Sequence, residues 1–341
     1  MRITRQLLLR IAKDTVAKRV RSNRNLLAVY LSGSLAGETD PIVGGAGDID
    51  LVFVHEMRPP ADREIVRLTE DVHLDIYHHD RAIYRQPRTL RTHPWLGQAI
   101  YGCQILHDPR HFLDFTQASV RAHFFHPDTV LQRSRAQIEL ARETWFSFQF
   151  YGRLGTIVDQ PGRVEMTKYL RAVANVANAI ANLNGSPLPE RRFLPVFSSR
   201  AEDLGKPGLY PGLLGLLGAP AVEADDLRAW LPVWKSVYET AGELTERPIE
   251  LHPYRYPYYR RAMDTLLESE RPMDALWPLL NTWMEAVNCL PEGHDALETW
   301  QKVFLYLGLL GGGFTERIAA LDAYLDLAEE TLEGWAGTKG V

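Results

Sequence analysis

The sequence predicts an α+β protein: a small mixed-sheet α/β domain over residues 1–110, followed by an all-helical C-terminal domain over 111–341. Three observations carry this expectation. Short apolar runs at 26–31, 48–54 and 72–77 have the length and the bounds of buried strands. The segment before them places apolar residues at helical spacing. Beyond residue 110 the apolar period changes from two to about 3.6 and stays there.

Taken in order, Leu7, Leu8, Ile11, Val16 and Val20 mark an amphipathic helix over about 3–23. Leu26–Leu31 then reads as a buried strand. Ser32-Gly33-Ser34 breaks it, and Leu35-Ala36-Gly37-Glu38 can start a helix. Gly44-Gly45-Ala46-Gly47 returns the chain to a second strand, Asp48–Val54. A third, Val72–Tyr77, pairs with Glu64–Leu68. Helices follow over 128–150 and 163–183, where Tyr169, Val173, Val176, Ala177 and Ile180 share a face and Asn184-Gly185-Ser186-Pro187 ends the run. Gly and Pro crowd 186–222, which reads as a long structured loop or short helices. Four more helical stretches are expected near 223–245, 257–290, 295–310 and 314–333.

Composition narrows the function. The chain has 341 residues, enough for two or three domains, with 45% hydrophobic and 24% charged residues. That balance excludes a disordered chain or a collagen-like fibre. A net charge of −5 excludes a general DNA coat. Cys103 and Cys289 are too few for a disulfide framework or a Cys-rich zinc site, and they fit a reducing compartment. No window approaches the ~18 consecutive apolar residues of a membrane span, so a soluble, cytoplasmic protein is expected. The charge is uneven: residues 1–25 hold eight Lys and Arg against Asp14 alone, leaving the remainder at −12. Such an Arg-rich start resembles a transit peptide. Its helical period runs directly into the first strand, which makes it part of the folded domain.

The segment that carries chemistry is Leu31-Ser32-Gly33-Ser34 followed by Asp48-Ile49-Asp50 and later Asp75. Alternate side chains of a strand share a face, so Asp48 and Asp50 point the same way, roughly 6–7 Å apart. Two such carboxylates repel unless a cation lies between them, and hard divalent ions with oxygen ligands suit the arrangement. A strand that ends in Gly-Ser before a helix start offers backbone N–H groups to an anion. Gly33 allows close approach, and Ser34 adds a hydroxyl donor. In the third strand His73, Asp75 and Tyr77 share one face. Should that strand neighbour the second, three carboxylates converge at one edge of the sheet.

This ordered set resembles the nucleotidyltransferase superfamily related to DNA polymerase beta, and most closely its small-molecule branch, which includes the aminoglycoside nucleotidyltransferases. The resemblance covers about residues 26–110, and an all-helical C-terminal domain is common in that branch. Cys103-Gln104-Ile105-Leu106-His107-Asp108-Pro109 is similar to the apolar-Asp-Pro segment that closes these domains. One departure is the spacer of thirteen residues between Ser34 and Asp48, longer than is usual in the small members. The resemblance implies a Mg²⁺-dependent transfer of a nucleoside monophosphate, AMP from ATP, to a hydroxyl of a small molecule such as an aminoglycoside-like antibiotic. Asp48 and Asp50 would hold two Mg²⁺ ions, and Asp75 would be a third ligand or the general base. Gly33 and Ser34 would bind nucleotide. In the helical domain, Lys168 would contact phosphate and Glu165 would serve the acceptor; the bland alternative for these two is an exposed ion pair. Other readings keep the chemistry but transfer to a protein side chain or an RNA end, or make the chain a catalytically silent nucleotide-binding module. Nucleic acid is not the favoured partner, no membrane is expected, and the oligomeric state stays open.

Three further features are set aside. His73 and His78-His79-Asp80 offer no defined tetrahedral set and read as a solvated strand end. Gly311-Gly312-Gly313 lacks a preceding strand and reads as a helix–helix turn. Tyr254, Tyr256, Tyr258 and Tyr259 with Arg255, Arg260 and Arg261 read as a packed linker between Pro-bounded helices, able to wall a pocket.

Overall fold

The first helix begins where Thr4 accepts a hydrogen bond from the Leu7 N–H at 3.3 Å, closing the N-terminus of α1 (Arg5–Ser22). The structure, a computed structural model, describes residues 3–37, 41–59, 61–153 and 161–341, with backbone alone at 150–153. After α1 come β1 (Leu26–Leu31), the single-turn α2 (Gly33–Ala36), β2 (Gly47–His55), β3 (Arg63–Arg67) and β4 (Val72–Asp80). Two short helices, α3 (Pro87–Leu90) and α4 (Leu96–Gly102), lead into β5 (Gln104–His107) and α5 (Phe112–Arg121).

The strands form one mixed sheet in the order β3-β4-β2-β1-β5. β1 is antiparallel to both β2 and β5, β3 is antiparallel to β4, and β2 runs parallel to β4. Strand alternation gives the sheet two faces. On one, Leu8, Ala12 and Val16 of α1 pack on Val29, Leu31, Ile49, Leu51, Leu74 and Ile76. On the other, Ala28, Tyr30, Val52 and Val54 meet Leu90, Ile100, Leu113, Val120 and Phe124 from the region of α3 to α5. Burying each Leu, Val or Phe side chain stabilises by about 1.5–3 kcal/mol, so both layers are needed to hold the sheet. Asp108 is fixed by this fold: its carboxylate accepts the N–H groups of Phe112, Leu113 and Asp114 at 2.8–3.0 Å, capping α5.

Two compact units divide the chain. One comprises Met1–Thr129 with Tyr254–Ala262, the other Val130–Pro253 with Met263–Val341. The boundary expected at residue 110 lies before α5, whose Leu113 and Val120 fill the core of the first unit. The Tyr- and Arg-rich segment expected to be a linker returns to that same unit.

The rest of the chain is helical: α6 (Pro127–Arg153), α7 (Arg163–Ala181), α8 (Phe193–Asp203), α9 (Leu209–Leu216), α10 (Ala224–Gly242), α11 (Tyr256–Leu267), α12 (Leu276–Cys289), α13 (Ala296–Tyr306) and α14 (Gly313–Lys339). The protein is therefore α+β, a mixed five-stranded sheet with helices followed by a largely helical region. The single helix expected over 257–290 is two, because Pro272 follows Arg271 and cannot extend a helix. The Gly- and Pro-rich stretch 186–222 resolves into α8, α9 and short turns. In the second unit Arg142 ties α6 to α14 through Asp322, Asp326 and Glu329. Among the described residues no helix is long and apolar enough to cross a membrane.

Candidate active site

Because β2 and β4 are parallel neighbours, Asp50 stands opposite Asp75 and Asp48 opposite His73. Ile49, Leu51, Leu74 and Ile76 turn toward α1, so Asp48, Asp50, His73 and Asp75 share the other face. The structure thus brings the three expected carboxylates together at one end of the sheet. Asp48 and Asp75 are buried, and Asp50 keeps part of its surface.

Gly33 explains how the turn after β1 meets them. Its φ is +67°, in the left-handed region, and a Cβ built on it would fall 1.9 Å from Asp50 Oδ2. Only glycine fits there. The preceding Ser32 N–H donates to the Asp50 carbonyl at 2.9 Å. Ser34, half-buried, sits in the single turn of α2, whose far end is held where Arg5 donates to the Leu35 and Gly37 carbonyls.

Asp75 is differently placed from the sequence expectation of a metal ligand or base. Arg63 grips it with two parallel bonds, Nε to Oδ1 at 2.7 Å and a terminal nitrogen to Oδ2 at 2.6 Å. Arg255 donates to Oδ2 at 2.6 Å from the Tyr254–Ala262 segment. The Arg255 side chain is 4% exposed and Asp75 1%. Arg255 also donates to the Tyr259 hydroxyl at 3.0 Å and lies 5.2 and 5.4 Å from the Tyr258 and Tyr259 ring centres. Arg261–Asp71 at 2.5 Å, just before β4, and an edge-on pair with His73 of β4 through Tyr258 fasten the same segment there. Neither arginine was singled out for the site from sequence. Arg255 had a signal in the Tyr/Arg cluster, whereas Arg63 had only its place on the strand paired with the Asp75 strand.

Electrostatics follows from this geometry. Burial pushes the Asp50 carboxyl well above the usual carboxylate range, and the charges of Asp48 and Asp75 push it further; Arg255 and Arg63 pull the other way. Burial opposes the charge on Arg63, yet hydrogen bonding to Asp75 more than offsets it and raises its pKa. A crowded carboxylate of this kind is one that a cation relieves. Asp48 and Asp50 place two carboxylates on the same face of β2. Among the described residues, no group of three or more His, Cys, Asp or Glu side chains is arranged to hold a metal ion.

The other expected residues lie in the second unit. Glu165 accepts the Gly162 N–H at 2.9 Å and so completes the cap of α7, while Lys168 is exposed on the same helix. The histidines at the end of β4 are not the solvated terminus expected. His78 Nδ1 is 2.9 Å from His55 Nε2, and His79 Nδ1 is 2.6 Å from the Tyr84 hydroxyl. Burial lowers the pKa of both, that of His79 to about 4. Cys103 is buried, and desolvation pushes its thiol up to about 12, which makes it inert.

No family model and no curated protein matches the sequence. Among solved structures, the chain is similar to a nucleotidyltransferase-like protein from Exiguobacterium sibiricum 255-15. The two share 12% identity over 94% of this chain and 90% of that one, at a TM-score of 0.29. At this identity and score the likeness does not by itself assign a chemistry to the chain.

Proposed function

We propose that the chain is a divalent-metal-dependent nucleotidyltransferase that moves AMP from ATP to a hydroxyl of a small molecule. The observation that carries this reading is the Gly33 turn seated against Asp50, on a face shared with Asp48. It joins a backbone turn able to approach phosphate to two carboxylates on one face of the neighbouring strand. A divalent cation bound there would stabilise charge on the phosphate oxygens as a Lewis acid. Asp48 and Asp50 supply its protein oxygens. Gly33 and Ser34 border the position of the triphosphate. Both Asp75 oxygens are engaged by Arg63 and Arg255. Glu165, engaged in its own helix cap, is a poor candidate for acid–base work on the acceptor. The acidic balance outside the first helix suits a cationic acceptor, as an aminoglycoside is.

Exposed Arg10, Lys13 and Arg21 on α1 favour a second reading, transfer to an RNA end. Incubation of the chain with α-labelled ATP and Mg²⁺ against aminoglycosides, tRNA and cell-extract proteins, read by mass spectrometry, separates these acceptors. Asp50→Asn is expected to abolish adduct formation and to keep or raise stability near neutral pH. The sign follows from Asp50. Its folded pKa lies above its unfolded value, so the native state loses stability as pH rises past the ordinary carboxylate range, and the amide removes that loss. Transfer retained by Asp50→Asn would overturn the assignment.

A further inference from the structure

Positive charge in the first unit is concentrated on one helix. Residues 1–25 hold eight Lys and Arg against Asp14 alone, while the remainder of the chain stands at −12. Two of these cations serve the fold: Arg5 donates to the Leu35 and Gly37 carbonyls, and Arg19 pairs with Glu64 at 2.9 Å. Arg10, Lys13 and Arg21 are exposed, and none of them forms an ion pair or side-chain hydrogen bond with a described residue. At 3.6 residues per turn these three positions share one side of α1. Beside them α1 and β5 border a groove of about 300 Å³. Val16, Val20 and Leu106 line it with apolar surface, and Lys13, Arg21 and His107 with polar groups. That is the small end of ligand sites, which run to roughly 300–1,000 Å³. The groove lies on the α1 side of the sheet, whereas Asp48, Asp50 and Asp75 occupy the opposite face.

We propose that α1 and β5 form a docking surface for single-stranded nucleic acid, with one base in the groove against Val20 and Leu106 and neighbouring phosphates on Lys13, Arg21 and Arg10. Exposed cations in a row fit a polyanion. The apolar lining fits an unpaired base. A duplex keeps its bases stacked inside, so it would reach the cations and leave the groove unused. An anionic membrane is a poorer match, because the apolar stripe of α1 is packed on the sheet and none of it is left to insert. The acidic remainder repels the same strand elsewhere, which confines binding to this helix and agrees with a chain that is no general coat. The surface stands independently of the transfer reading, since none of its residues lies on the carboxylate face.

Fluorescence anisotropy of the full chain with a labelled oligouridine of about twelve nucleotides tests this. Binding is expected, with a slope of log affinity against log salt near −2, at about −0.7 for each of the three phosphates. Lys13→Gln combined with Arg21→Gln should weaken binding about tenfold or more and flatten the slope to about −0.7. Ala17→Leu, at an exposed position lining the groove, keeps every charge and should weaken binding several-fold at an unchanged slope. Circular dichroism melting checks that these exposed substitutions leave the fold intact. Asp50→Asn should bind the oligonucleotide as the parent chain does, so that docking and transfer are read separately. An RNA duplex of the same length, polyglutamate and phosphatidylserine vesicles should each bind about tenfold more weakly or worse. Absence of oligouridine binding, equal binding of any of those three probes, full affinity in the double variant or in Ala17→Leu, or lost affinity in Asp50→Asn would overturn the inference.

Discussion

Gly33 and Gly205 share a φ of +67°, yet a Cβ would meet Asp50 Oδ2 at 1.9 Å at Gly33 and nothing within 4 Å at Gly205. The pair separates backbone strain from crowding. Gly205→Ala is expected to cost about 1–2 kcal/mol, the left-handed penalty alone. Gly33→Ala should cost about 2–4 kcal/mol, because overpacking against Asp50 is added. Urea denaturation of the two variants measures the difference, and equal losses would mean that the Asp50 contact is not tight. A second single-residue effect is tied to pH. His79 is held near 4 against an ordinary 6.5 by burial first and by the charge of His78 second. The unfolded chain therefore binds a proton that the native state refuses. The stability is complete above about pH 6.5 and declines as pH falls toward 4. Between pH 7 and 5 the loss from this residue should be about 1–2 kcal/mol. His79→Gln should flatten the stability profile over that window; an unchanged profile would place the acid sensitivity in His55, His78 or His93, which burial also lowers.

Elements were legible in the sequence where one periodic pattern controls them. β1, β2 and β4 emerge from their apolar runs and α1 from its stripe, because each buries a continuous row of side chains. β5 was harder, since Gln104–His107 is a four-residue edge strand with little burial of its own. Its neighbour Asp108 shows why a short motif can still be informative: three α5 amides converge on one carboxylate. Asp108→Ala is expected to destabilise the first unit by about 1–2 kcal/mol, and Asp108→Asn by less, since the amide oxygen can still cap. Differential scanning calorimetry checks this, and equal melting of Asp108→Ala and the parent chain would remove the cap from the account. The acidic face of β2 and β4 was legible from alternation alone. Its counter-charge was not, because Arg255 lies 180 positions from Asp75 and no local pattern spans that separation. The helical break at Pro272 was visible in the sequence but was outweighed by apolar periodicity on both sides of it.

At the scale of the chain, the two units are interleaved rather than consecutive, and this has a consequence for ligand binding. Every residue of the proposed metal and arginine set, from Gly33 to Arg255, belongs to the first unit, although Tyr254–Ala262 is delivered from far along the sequence. A ligand that binds native protein stabilises the part that must be folded to bind it, by about 2.7 kcal/mol at a hundred times its dissociation constant. Binding of Mg²⁺ with a non-hydrolysable ATP analogue should therefore slow amide exchange in α2, β2, β4 and the start of α11 together. The first three fall within residues 33–80, and the fourth lies far from them in sequence. Hydrogen–deuterium exchange with mass spectrometry reads this directly, with peptides from α8, α12 and α13 as internal references. Protection of 30–77 without 254–262 would mean that the Arg255 segment opens independently of the sheet. Concerted protection would show that one cooperative unit joins the carboxylates to their distant cation, so that variants in the Tyr254–Ala262 segment alter ligand affinity at Asp48 and Asp50.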